Sequence, residues 1–114
     1  MSYEPGAILL VSYPFTDQTA AKQRPVLVVS STRFNSGEDV VVVPLTSRVV
    51  PDDPFGLPIE STEPYFLQTK LRMSSTVKWT KPMVISSVVV VKELGHIPPD
   101  VLRQIQDLVK SLFA

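Results

Sequence analysis

Cysteine is absent from this chain, and histidine occurs once, at His96. The first absence excludes a disulfide framework and thiolate metal sites, and it fits a reducing compartment. The second excludes a zinc site built from several histidines. Net charge is also missing, because 11 basic and 11 acidic side chains cancel. Overall charge therefore does not announce a nucleic-acid partner, and any basic footprint has to be local. No apolar run approaches the roughly 18 residues of a membrane span, and the first residues lack the charged-then-apolar pattern of a signal peptide. These absences lead to the expectation of a cytoplasmic, soluble protein, and no cofactor is expected. What is present is apolar: hydrophobic residues make up 44% of 114 positions and charged residues 19%, as in a globular chain. That length predicts a single domain over 1–114, burying roughly two-thirds of its unfolded surface.

The chain is organised around Lys22-Gln23-Arg24-Pro25-Val26-Leu27-Val28-Val29-Ser30. The unbroken run of branched aliphatic residues from Val26 reads as a strand covered on both faces. Pro25 cannot donate to a ladder, so it is expected at the first residue of that strand. It also biases Arg24 toward an extended backbone. The guanidinium is thus expected at a loop-to-strand junction, backed by the core.

Other elements follow from pattern. Ala7 to Tyr13 is a strand candidate after Pro5-Gly6, and Pro14 ends it. Strands are expected at 26–31 and 39–45, with a turn at Asn35-Ser36-Gly37. Consecutive strands with short connections suggest an antiparallel meander that curls on itself. The segment 48–65 carries four prolines and four acids, and reads as an exposed acidic excursion with a short edge strand near 57–60. Alternation predicts a half-buried strand at 75–79, and two short strands are expected at 84–85 and 88–91. From Pro99, the residues Val101, Leu102, Ile105, Leu108, Val109 and Leu112 make one helical stripe. Pro99 suits the first helical position and Asp100 the positive end of the dipole. Lys70, Arg72, Lys78 and Lys81 form the one local basic cluster. The predicted fold is mainly β with one C-terminal helix packed across a small curled barrel.

Several segments, in order along almost the whole chain, resemble the PemK/MazF family of toxin endoribonucleases. They are Gly6-Ala7-Ile8-Leu9-Leu10-Val11, Pro14-Phe15-Thr16-Asp17, the Lys22 to Ser30 stretch, Val43-Pro44-Leu45-Thr46-Ser47, Leu71 through Ser75-Thr76-Val77-Lys78, and Leu94-Gly95-His96-Ile97 with the helix after it. The resemblance implies an SH3-like barrel, a homodimer, metal-independent cleavage of single-stranded RNA, and a cognate antitoxin that blocks the groove. It also implies a catalytic pair, Arg24 and Thr46. The chain departs from the family pattern at Ala7, where an acid is usual, at Pro98, where a capping hydroxyl is common, and in its neutral charge.

The chemistry supports those two residues. When a 2′-hydroxyl attacks the adjacent phosphate, charge builds on the phosphorane oxygens, and a fixed planar cation with several N–H donors suits it. Arg24 supplies the cation, and the Thr46 hydroxyl can donate to the same phosphate or cap a turn. Arginine is a poor proton shuttle at neutral pH, so Asp17 in the facing loop is the candidate acid or base. His96 is expected to be structural, in the turn into the helix. A track for RNA needs apolar faces and phosphate contacts. Phe15 is the candidate face; Thr16, Lys22, Gln23, Ser47, Lys78 and Lys81 are the candidate contacts. Trp79 alternates with Lys78 and is expected in the core or a dimer interface. Two other readings are a non-catalytic member of the same fold and a gyrase poison of the CcdB type. The CcdB type carries Trp-Gly-Ile near its end, whereas this chain ends Ser111-Leu112-Phe113-Ala114.

Overall fold

The computed structural model describes residues 2–13 and 22–114, with the backbone alone at 13 and 22. Three consecutive antiparallel strands form its centre: β1 (Ala7–Tyr13), β2 (Lys22–Val28) and β3 (Asp39–Thr46). A short helix α1 (Thr32–Asn35) joins β2 to β3. Further on lie β4 (Leu57–Ile59), a four-residue helix α2 (Phe66–Thr69), β5 (Ser75–Val77), β6 (Met83–Ser86), β7 (Val90–His96) and the terminal helix α3 (Pro99–Ser111). The strand order is β4-β5-β3-β2-β1-β7, and β6 also pairs with β3. β3 serves two partners in turn: Asp39 to Val42 pair with β6, and Leu45 and Thr46 pair with β5.

Alternation on the central strands feeds two cores. Ile8, Leu27, Val43 and Leu45 turn to one face, where Ile105 and its neighbours on α3 cover them. Leu9, Val11, Val26, Val28, Val40 and Val42 turn to the other. The meander and the doubly covered Val26 to Val28 run are therefore as the aliphatic pattern requires. The α3 stripe also holds, with its Gln106 side-chain amide donating to the Val29 carbonyl at 2.9 Å. Pro98 caps α3 without a side-chain bond. Among the described residues no helix is long and apolar enough to cross a membrane.

Several sequence expectations need correction. β2 begins at Lys22, and Pro25 lies inside it. The hydrogen bonds explain why this is permitted. Gly6 N–H donates to the Val28 carbonyl on the β1 side, and Val29 N–H donates to Val41 on the β3 side. Backbone groups alternate along a strand, so position 25 faces β3. The ladder to β3 starts only at Val26, and the missing N–H of Pro25 costs no bond. The strand at 75–79 is shorter and is buried throughout, because Ser75, Thr76 and Val77 lie between β3 and β4. Residues Ser87–Val89 form a 3-10 turn rather than a strand, with the Ser86 hydroxyl accepting from Val88 N–H. His96 ends β7 instead of lying in the turn. The edge strand expected near 57–60 is β4.

Candidate functional site

Where Pro25 ends the pairing of β2 with β3, the two strands part. Val26 is opposite Pro44 in the last step of the ladder. Arg24 and Thr46 each lie two residues beyond that pair, on the parting ends of the two strands. Both residues line one open groove of about 820 Å³. The groove runs over four adjacent strands, from Thr46 at the end of β3 and Ser47 just beyond it, past Gln23, Arg24 and Pro25 on β2 and Leu10 on β1, to Lys92, Glu93 and Leu94 on β7. Its wall is the segment from Lys70 to Met73.

Each part has a local cause. The Thr46 hydroxyl accepts a hydrogen bond from Arg48 N–H at 3.2 Å. This is the turn-capping geometry expected of a strand-end threonine. It orients the oxygen and leaves the hydroxyl proton to donate outward. The wall is held by α2. Buried Thr69 donates to the Phe66 carbonyl at 2.7 Å and accepts from Leu71 N–H at 3.2 Å. Lys70 then turns the chain with a left-handed φ of 60°. Behind α2 lies Gly95 of β7, whose backbone is in direct contact with Gln68 and Thr69.

The basic cluster of the sequence divides in the fold. Lys70 and Arg72 line the groove, joined by Lys92, which sequence reasoning did not single out. Lys78 and Lys81 do not line it. Lys78 Nζ instead pairs with Asp53 at 3.0 Å, so the acidic excursion folds back onto the strand exit. That closure is a long-range contact invisible to local composition. Gln23 and Ser47 line the groove and are exposed. His96 is exposed and is not among the lining residues. Trp79 is buried in the core, with the Phe55 ring centroid 6.3 Å away. Phe15, Thr16 and Asp17 lie outside the described residues, as does the Lys22 side chain.

Asp53 is the latch of that excursion. Its carboxylate accepts from Phe55 N–H at 2.9 Å and from Lys78, and these bonds hold its pKa below the ordinary carboxylate value. A depressed folded-state pKa contributes stability above the unfolded value, and that stability is lost as pH falls through the folded one. The melting temperature of Asp53→Asn should therefore lie below that of the parent at neutral pH. The gap should close as pH drops below about 4. Thermal melts of both proteins across that range check this; a gap constant with pH would mean the charge plays no part.

A family model described as the PemK-like, MazF-like toxin of type II toxin-antitoxin systems matches residues 4–113. A search of curated protein sequences finds no match. Solved structures share the fold. A MazE-MazF crystal structure from Deinococcus radiodurans superposes with a TM-score of 0.76 at 23% identity, covering 99% of this chain and 97% of that one. A mycobacterial endoribonuclease in complex with its cognate antitoxin gives 0.72 at 17% identity, over 98% and 93%. The Mycobacterium tuberculosis toxin MazF-mt6 gives 0.70 at 16%, over 94% and 95%. With its meander, its parted β2–β3 pair and a family match over nearly every residue, the chain belongs to the PemK-like, MazF-like toxins of type II toxin-antitoxin systems.

Proposed function

We propose that this chain is an endoribonuclease toxin that cleaves single-stranded RNA without a metal. The observation that carries the reading is the placement of Arg24 and Thr46 on one groove whose wall and far end add Lys70, Arg72 and Lys92. A neutral protein with four cations along one cleft has the local basic footprint that RNA needs.

The reaction is transesterification. The 2′-oxygen forms a bond to phosphorus, the bond from phosphorus to the 5′-oxygen breaks, and the 2′ proton leaves as the 5′-oxygen gains one. The products are a cyclic phosphate and a free 5′-hydroxyl. Arg24 faces the phosphorane oxygens, and Thr46 donates its hydroxyl proton to one of them. Asp17 is the group proposed to take the 2′ proton. Phe15, Thr16, Lys22, Gln23 and Ser47 are proposed to hold flanking nucleotides.

The reading includes one barrel-like domain over 1–114, cytoplasmic, paired with a second copy and silenced by an antitoxin. Exposed Val84, Val88 and Val91 on β6, the 3-10 turn and β7 are the surface that favours a second copy. The relatives crystallised with an antitoxin favour such a partner here.

Incubation of the purified chain with single-stranded RNA in EDTA tests the reading. Fragments ending in cyclic phosphate support it, and intact RNA after removal of any bound antitoxin overturns it. Thr46→Val keeps the shape and deletes the donor. Its initial rate should fall about ten- to a hundredfold, the worth of one hydrogen bond to a charged group.

A further inference from the structure

Among the described residues, Glu93 is the one carboxylate on a groove otherwise lined by cations and by neutral polar and apolar side chains. It is exposed. A carboxylate beside a phosphate track opposes binding through charge repulsion. A carboxylate only accepts hydrogen bonds, so the nucleic-acid groups it suits are N–H donors on a base edge.

Position supports this. β7 pairs with β1 as Ile8 with Gly95, Leu9 with Glu93, Leu10 with Lys92 and Val11 with Val90. Leu94 and Val91 are therefore the extra residues of two register shifts that bracket Lys92 and Glu93. Such bulges re-aim side chains at the edges of sheets and beside sites, and β7 is an outer strand. Leu9 also pairs with Val26, so Glu93 is two strands away from Arg24 and two residues along. Strand spacing of about 4.8 Å and a rise of about 3.4 Å per residue put their Cα atoms roughly 12 Å apart. That span suits a neighbouring nucleotide, not the phosphate held by Arg24. Leu10 and Met73, both on the groove, offer apolar contact for a base face, which a sugar hydroxyl would not need.

We infer that Glu93 reads the edge of an unpaired base next to the cleaved phosphate and selects guanine. Guanine presents two adjacent N–H donors, N1–H and N2–H, to the two carboxylate oxygens. Uracil and thymine offer one N–H between two carbonyls, which the carboxylate repels. This rests on the groove being an RNA site, and it adds the residue that sets sequence preference.

The test uses octadeoxynucleotides, which lack the 2′-hydroxyl and stay uncut. The parent should bind an oligomer with one central guanine at least about tenfold more tightly than thymine alone. Glu93→Gln and Glu93→Ala should reduce that ratio to within about twofold while leaving thymine affinity equal or higher. Melting curves check that both variants fold, as exposure of position 93 predicts. A parent ratio near one, or a ratio the variants keep, overturns the inference. Sequencing of fragment ends from a random RNA pool separates the two readings. Base discrimination without cutting sinks the nuclease reading alone, and cutting without discrimination sinks this one alone. Loss of cutting at every site to the same degree in Glu93→Gln would make Glu93 a proton acceptor in the chemistry and also overturn it.

Discussion

Arg24→Ala should lower the rate of RNA cleavage by about a hundred- to a thousandfold, the usual loss when one preorganised donor to a developing oxyanion is removed. Arg24 is exposed and lines the groove, and a melting curve of the variant separates any loss of fold from loss of chemistry. A second measurement separates binding from chemistry. Affinity for single-stranded nucleic acid falls with salt in proportion to the phosphates neutralised, with a slope near 0.7 per phosphate. If Arg24 holds a phosphate in the ground state, the variant should lose about that much slope. If it acts only as charge develops, the slope stays and the rate alone drops. Arg24→Lys should recover little, since a point charge cannot present a planar fork of donors. A rate within about twofold of the parent would leave Arg24 no part in the chemistry and remove the basis of the nuclease reading.

How much of this was legible depends on whether the signal was local. Val26 to Val28 and the α3 stripe announce themselves, because burial on two faces and burial on one leave different periods in the sequence. α1 and α2 are four residues each, too short for a period to register. For α1 a faint sign exists in Ser31, whose hydroxyl accepts from Phe34 N–H at 3.4 Å; α2 offers none. Arg24 could be found because Pro25 marks where a ladder can stop. Lys92 and Glu93 could not, because they reach the groove through β7 returning beside β1, some 80 positions away in sequence, with two register shifts on the way. The basic cluster misled in half its members for a related reason. Lys70 and Arg72 face the groove, whereas Lys78 meets Asp53 from a loop 25 positions earlier. Sequence proximity grouped four charges that chain reversal then divided.

Gly95→Ala is the substitution expected to damage the fold most. A methyl at that position would lie 2.2 Å from the Gln68 carbonyl oxygen and 2.7 Å from the Thr69 carbonyl carbon and oxygen. All three are backbone atoms, so no rotamer change relieves the contact. β7 must move away from α2, or α2 must lift. Either movement disturbs buried Thr69 and its bonds to Phe66 and Leu71, and with them the wall from Lys70 to Met73. Overpacking usually costs 1–3 kcal/mol, and a clash between two backbones belongs at or above the top of that range, about 3 kcal/mol. For a chain of this size that is a fall in melting temperature of more than about 10 °C. Gly37→Ala is the control, because its methyl would meet only the Phe34 carbonyl oxygen at 3.6 Å, an ordinary contact. It should change stability by less than about 1 kcal/mol. Urea unfolding of the two variants gives the comparison. At temperatures where Gly95→Ala is still folded, its cleavage rate should fall further than its folded fraction does, since the groove wall and β7 are seated on one contact. Equal stabilities for the two variants would mean that α2 yields without cost and that the wall does not depend on Gly95.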